Sequence, residues 1–153
     1  YNTQSSSSSL SHQDIGEQQT LYHRSTDRLR EIKTVFQGLQ TLYQTYLPKV
    51  DPVLIHDLLV RENEKSERSP FYMVEVFTKE GTDSEWCKNH IYKTTGFVPA
   101  VYDKGTHYVT NMRLTLEILK KLNDLDFVFD INGDYTGTLT GRGASHEPRT
   151  HIH

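Results

Sequence analysis

Cys87 and His90 are the first residues of this chain whose types could support catalysis, because a thiol and an imidazole can act as a nucleophile and its base. They lie three residues apart in a segment with a helical pattern, and such residues share one face of a helix. Nucleophilic catalysis also needs a third group that orients the base and a site for the oxyanion. The sequence shows neither, so we interpret Cys87 as a buried, small apolar residue beside Trp86 and Ile91.

A second candidate is the segment 130–134, whose carboxylate and amide oxygens are the ligands that Ca²⁺ prefers. In a calcium-binding loop the sixth position is glycine and the twelfth is a bidentate glutamate. Counted from Asp130, those positions hold Tyr135 and Gly141. We therefore interpret this segment as the end of a strand with turns that Asx side chains stabilise.

The C-terminal residues offer two further groups. A glycine-rich stretch around Arg142 lacks the Lys-Ser/Thr pair and the following helix of a phosphate-binding loop. Three histidines lie close together and could bind a transition metal weakly, namely His146, His151 and His153. Because a chain terminus loses entropy when it is ordered, we predict a flexible tail over residues 136–153, with no metal or cofactor site.

The predicted hairpin turn at residues 103–105 brings a carboxylate, an amine and, shortly after it, an imidazole to one end of a sheet. Exposed hairpin tips often contact partners, although ordinary solvated turn chemistry explains the same residues. An enzyme or small-ligand sensor would use His107, Asp103 or His90 as its acid-base group. This use of the turn is one alternative function.

Composition limits the classes of protein that fit. With 153 residues the chain is long enough for one small α/β domain and a helical appendage. Its formal net charge of −3 gives no general attraction to nucleic acid, so nucleic-acid binding is disfavoured. A single cysteine excludes an internal disulfide and makes a cytoplasmic location the expectation. No apolar run is long enough to insert into a membrane.

The N-terminal region predicts a disordered lead followed by a helical hairpin. Residues 1–14 include five consecutive serines and few apolar groups. A hairpin is expected over residues 15–63, with Pro48 ending the first helix and Asp51 and Pro52 beginning the second.

An apolar stripe with heptad spacing runs along the first predicted helix. Its a and d positions are candidate interaction residues, namely Leu29, Ile32, Phe36, Leu39, Tyr43 and Tyr46. Val35, Leu42 and Leu47 widen the stripe. The pattern fits either a seam for self-association or a face that packs inside the same chain, and both interpretations stay open.

Residues 70–135 predict the order strand, helix, strand, turn, strand, helix, strand. The strands are expected at residues 71–77, 97–102, 107–110 and 127–131. Thr82 and Glu85 form a capping box for the first of the two helices, which ends at Gly96. Asn111 is the expected N-cap of the second helix.

This element order resembles the ferredoxin-like βαββαβ arrangement, at the level of topology only. The resemblance implies an α+β fold in which two helices cover one face of a four-stranded antiparallel sheet. The other face would carry Phe71, Met73 and Phe77, or Tyr72 in the alternative register. Because such a patch rarely stays in water, we expect the N-terminal hairpin or a second copy to cover it.

Taken together, the sequence predicts a non-enzymatic protein-interaction, regulatory or assembly subunit that acts through the helix stripe and the sheet face. The expected partner is another protein or a second copy, and no residue is assigned a catalytic role. A further alternative is single-stranded nucleic acid on the sheet face. The third strand from His107 to Asn111 contains no Lys or Arg, so it does not match the RNA-recognition signature.

Overall fold

The computed structural model describes residues 3–64 and 69–137. Of residues 3–14 and of Tyr22, only the backbone is described. The predicted tail at 136–153, with its three histidines, lies outside the described residues except for its first two positions. The chain divides into two compact units, Tyr1–Leu42 and Tyr43–His153.

Helix α1 (Thr3–Tyr46) supplies all the described structure of the first unit. Its 44 residues would span about 66 Å at a rise of 1.5 Å per residue. The sequence predicts a disordered lead over residues 1–14, of which residues 3–14 belong to this helix. Within the described residues, no helix combines enough length with enough apolar character to cross a membrane.

The second unit is an α+β structure with a four-stranded antiparallel sheet, as the sequence predicts at this level. Its elements are α2 (Pro52–Glu62), β1 (Phe71–Thr78), α3 (Ser84–Thr95), β2 (Ala100–Tyr102), β3 (His107–Arg113), α4 (Leu116–Asn123) and β4 (Val128–Gly137). The strand order is β2-β3-β1-β4, which places β1 and β3 in the centre.

The core lies against one face of the sheet, here called the inner face. On β1 this face is formed by Tyr72, Val74 and Val76, none of which is more than 1% exposed. The residues of α2, α3 and α4 that pack in this core are also buried, and include Leu54, Leu58, Cys87, Ile91, Leu119 and Leu122. The alternating residues of β1 on the outer face are half-buried. This period of two is why the strand forms here: its β-branched and aromatic residues fill the core on one side only.

The residues just before helix α2 pair with part of the β4 edge of the sheet. Asp51 caps α2 by accepting a hydrogen bond from Val53 N at 3.0 Å, as predicted. Asp51 N also donates to Ile131 O at 2.9 Å, and Ile131 N donates to Lys49 O at 2.8 Å. Because these bonds satisfy backbone groups that an edge strand would leave unpaired, they remove one site for unwanted strand pairing.

Two predicted helix caps are wrong. Helix α3 is capped by Asp83, not Thr82, because the Asp83 carboxylate accepts hydrogen bonds from Glu85 N and Trp86 N at 3.0 and 3.4 Å. Helix α4 is capped by Thr115, whose hydroxyl accepts from Ile118 N at 3.2 Å. Asn111 is instead a residue of β3. The predicted end of α3 at Gly96 is confirmed, with φ of 84°.

The strand ends also differ from the prediction. Strand β2 begins at Ala100 rather than at residue 97, and the preceding Pro99 has no N–H to donate to a ladder. Strand β4 extends to Gly137, so the segment 130–134 is extended backbone. The β2–β3 turn spans residues 103–106, in which Asp103 and Lys104 adopt positive φ values as well as Gly105.

Gly105 gives a test of this turn, since its φ is 90° and an added Cβ would lie 2.7 Å from Ser84 Cβ at the start of α3. We expect Gly105→Ala to lower the free energy of unfolding by more than 2 kcal/mol, taking about 1–2 kcal/mol for the left-handed conformation plus a steric clash. Gly81→Ala is the matched control, because Gly81 has φ of 86° but nothing within 4 Å of the added Cβ. Equal losses for the two variants in urea denaturation would show that the contact with Ser84 has no effect.

Candidate functional site

Among residues 15–42 of α1, the large aliphatic residues and Phe36 all lie on one face of the helix. With Leu29 at heptad position a, they occupy positions a, d and g only. We call this set the apolar stripe, and its members are Ile15, Leu21, Leu29, Ile32, Val35, Phe36, Leu39 and Leu42. A face of three positions in seven is typical of a helix that packs in a bundle.

Seven of the eight stripe residues are exposed, and Leu39 is half-buried. Val35 is 70% exposed, Ile32 64% and Phe36 49%. Between Ile15 and Leu42 the polar residues at positions a, d and g are Gln18, Ser25 and Arg28, and the other charged residues of this segment lie elsewhere on the helix. Ion pairs such as Arg28–Glu31 at 2.6 Å are well exposed and add little stability. The stripe is therefore a surface of apolar side chains on a polar helix.

The six predicted interaction residues do not share one environment. Leu29, Ile32 and Phe36 are exposed on the stripe. Tyr43 is buried within the second unit, whereas Tyr46 is 57% exposed. The prediction did not include Ile15 and Leu21. Leu21 could have been identified from the seven-residue spacing that it shares with Val35 and Leu42, although Arg28 interrupts this series.

Cys87 and His90 do not have the environment of a catalytic pair. Cys87 is fully buried, and burial raises the pKa of its thiol, which opposes formation of the reactive thiolate. The His90 ring packs on Trp86 at 4.0 Å between centroids, and its Nδ1 lies 2.9 Å from Trp86 O. Both residues therefore serve the packing of α3.

His107 lies on the outer face of the sheet in a small cluster of rings and carboxylates. Its imidazole stacks on Phe77 at 4.5 Å between centroids and lies 5.6 Å from the Tyr102 ring. Its Nε2 is 3.3 Å from Glu75, and its Nδ1 is 3.5 Å from Asp103. The Nε2 atom is buried and is close enough to Glu75 for an ion pair, but it is not aligned for a hydrogen bond. Both ring nitrogens thus face groups of the same chain.

A second polar cluster joins α2 to the sheet. The Tyr72 hydroxyl donates a hydrogen bond to Asp57 Oδ2 at 2.5 Å, and Arg61 Nε donates to the same oxygen at 3.0 Å. The Arg61 guanidinium lies 3.4 Å from the centroid of the Tyr135 ring, which meets Tyr72 edge to face at 5.6 Å. Burial, followed by the hydrogen bond to Asp57, raises the pKa of Tyr72, so this hydroxyl acts as a structural donor at neutral pH.

The outer face of the sheet is less apolar than the sequence suggests. Phe71, Met73 and Phe77 lie on it, but all three are half-buried. The residues opposite β1 on β4 are polar, namely Asp130, Asn132 and Asp134. Helix α2 lies on the inner side, because Asp57 contacts Tyr72 there. The outer face is therefore a mixed surface that α2 does not cover.

The described residues contain no group of three or more His, Cys, Asp or Glu side chains arranged to hold a metal ion. Asp130 and Asp134, which the calcium interpretation would use, belong to the extended strand β4. An extended strand cannot wrap its oxygens around one cation as a loop does. The C-terminal histidines lie outside the part of the chain that the structure describes.

No protein-family model matches this chain, and neither a curated protein nor a solved structure resembles it at a significant level. A proposal for its function therefore depends on the surfaces of the described residues. The clusters around His107 and Tyr72 pair mainly with groups of their own chain. The apolar stripe differs from both clusters because it exposes large apolar side chains.

The His107 cluster yields a prediction about stability. We expect His107→Phe to keep the stack on Phe77 and to lower the free energy of unfolding by less than about 0.5 kcal/mol, since it removes a buried nitrogen that lacks a hydrogen bond. His107→Ala, which removes the ring, should cost about 2 kcal/mol or more. Equal losses for the two variants in urea unfolding would instead assign the stability to the carboxylate contacts.

The Tyr72 cluster predicts a dependence on alkaline pH. The raised pKa means that the folded protein keeps this proton above the ordinary tyrosine pKa of about 10, whereas the unfolded chain loses it. The stabilisation is fully present below that pH and is lost as the pH rises above it. Tyr72→Phe should cost about 1–2 kcal/mol at neutral pH and flatten the alkaline loss.

Denaturant unfolding of the two proteins below and above pH of about 10 measures this difference. Tyr108, whose pKa burial raises to about 12, is present in both proteins and contributes equally. If the free energies of unfolding of the wild type and of Tyr72→Phe fell equally as the pH rose, the alkaline loss could not be assigned to Tyr72.

Proposed function

We propose that this chain is a protein-interaction and assembly subunit whose docking surface is the apolar stripe of α1. The observation that carries the proposal is the exposure of seven large apolar side chains on one helix face. Monomeric proteins rarely expose contiguous apolar patches larger than a few hundred Å². A partner that covers this face would remove the patch from water.

The composition of α1 supports the same proposal. A long helix in water gains most of its stability from packing of its apolar face. The first turn of α1 has no acidic residue and its last turn no basic residue, so its ends do not compensate the helix dipole. Three threonine hydroxyls donate to carbonyls four residues earlier, at positions 20, 34 and 41, which slightly weakens a helix. A packing partner would supply the missing stabilisation.

We further propose that the second unit has the ferredoxin-like arrangement and acts as the folded body that carries the docking helix, in the cytoplasm. The strand order β2-β3-β1-β4 and the helices that follow β1 and β3 support this arrangement. A fold of this kind hosts many unrelated functions, so it adds nothing to the choice of partner.

The two alternatives have weaker support. An enzyme or ligand sensor at His107 and Asp103 would need a ring nitrogen that faces a substrate, and both nitrogens face carboxylates of the chain itself. Nucleic acid on the sheet face would meet Glu75 and the acidic residues of β4, which repel phosphate. Neither alternative uses the apolar stripe.

A pair of matched double variants tests the docking surface. Ile32→Asp with Phe36→Asp places two charges on the stripe, where both residues are exposed and should not disturb the fold of the second unit. Thr34→Asp with Gln37→Asp adds the same charge to exposed positions on another face of the same helix. We expect the first pair to abolish association, because a partner's apolar face cannot solvate two carboxylates, and the second pair to leave it intact.

The measurement is the mass of the assembly that each variant forms when it is purified from its native source at low salt. The melting of the second unit, followed by Trp86 fluorescence, serves as the folding control. A stripe variant that keeps the wild-type assembly mass, or a wild-type chain that is monomeric in its native source, would contradict the proposal.

A further inference from the structure

We infer that the occupant of the apolar stripe is a second copy of this chain, and that the two α1 helices lie antiparallel. This inference rests on the proposed function and names the partner of that surface. Three observations carry it, namely the area of the stripe, the difference between its two flanks, and the charges beside it.

The area of the stripe matches that needed for a dimer. Eight large apolar side chains that are each about half exposed present roughly 500 Å² of surface, taking about 120 Å² for a full side chain, as the free energy of burying a large apolar side chain and its value per unit area imply. Two copies would together bury roughly 1,000 Å², which is about the area that a specific interface needs. The polar residues on both flanks add to this area. A second copy is therefore large enough to cover the stripe without any other partner.

The two flanks of the stripe differ in polarity. From Leu21 to Leu42, position g holds Leu21, Val35 and Leu42, with Arg28 as the exception. Along nearly the same part of the helix, position e holds polar residues, namely Gln19, Thr26, Lys33 and Gln40. One edge of the stripe is thus apolar and the other is polar.

This difference selects the orientation of the pair. In a parallel pair each g residue lies beside an e residue of the partner, so both flanks would place leucine or valine against polar groups. In an antiparallel pair g residues lie beside g residues, and e residues lie beside e residues. Only the antiparallel pair gathers the apolar g residues on one flank and leaves the polar e residues in water.

The charges beside the stripe oppose the parallel pair as well. In a parallel, in-register pair Arg28 at g lies beside Lys33 at the following e position of the partner, and symmetry creates this contact twice. Like charges at such positions are destabilising. An antiparallel pair separates these residues onto different flanks. It also has two-fold symmetry, in which the same surface on both copies is self-complementary.

The stoichiometry and the orientation are tested on the purified full chain. Sedimentation equilibrium should give twice the chain mass of 17.7 kDa. Nitroxide labels at Glu17→Cys and at Thr34→Cys then report the orientation by pulsed electron spin resonance. The native Cys87 is buried, so it should take up little label. The wild-type chain, treated with the same label, is the control.

The two label positions respond differently to orientation. In any antiparallel alignment in which the partner's stripe covers residues 29–39, the Glu17 labels are separated along the axis by at least about 30 Å, and the Thr34 labels by at most about 21 Å. In a parallel, in-register pair neither pair of labels is separated along the axis, so both distances report only the width of the pair. We expect a clearly longer distance for Glu17 than for Thr34.

Each other outcome has a definite meaning. A dimer with equal distances at the two positions overturns the antiparallel inference. A chain that is monomeric when pure, but that assembles with a different protein in its native source through the stripe, overturns the second copy as occupant and leaves the proposed function standing. A chain that is monomeric in both settings overturns both.

Discussion

The burial of the inner face of β1 is the contact on which the second unit depends. Tyr72, Val74 and Val76 lie in the middle of the sheet, and β3 and β4 pair with β1 on either side. The helices of the unit pack on the same three side chains. Because this strand alternates apolar and mixed residues, the helices can cover only one side. The outer face keeps its acidic and amide groups in contact with water.

Tyr72 extends this contact to α2, which precedes the sheet in sequence. Its ring lies in the core and its hydroxyl meets Asp57, so one side chain both fills volume and donates a hydrogen bond. Gly133 allows the close approach of α2, since an added Cβ would lie 3.2 Å from Leu54 and 3.0 Å from Met73 O. The chain therefore folds Tyr43 onward as one unit, while the apolar residues of α1 from Ile15 to Leu42 stay mostly exposed. That contrast is the reason for assigning assembly to α1.

The sequence predicted those features whose causes are local. The cap at Asp51 and the end of α3 at Gly96 follow from single residues with strong positional preferences. Thr82 and Asp83 are adjacent and both can cap a helix, so pattern alone could not choose between them. Asn111 was assigned to a helix cap, but pairing with Met73 holds it in β3. That pairing joins residues distant in sequence, which a local pattern does not record.

The stripe shows the same limit at the level of function. Heptad spacing identified Phe36 and Tyr43 as equivalent positions, yet Tyr43 is buried in the second unit and Phe36 is half exposed. The packed structure distinguishes Tyr43, whose side chain is already buried, from Phe36, whose side chain is still exposed. The proposal of a docking surface therefore depends on spacing and exposure together.

Amide hydrogen exchange of the full chain over a dilution series reports, residue by residue, whether a partner covers α1. We expect amides from Leu29 to Leu42 to exchange slowly in concentrated protein and faster on dilution, as the helix loses its partner, while the amides of β1 stay protected throughout. Fast exchange of this segment at every concentration would show that a second copy does not cover α1, and slow exchange that persists in a chain of monomer mass would show that no partner is needed.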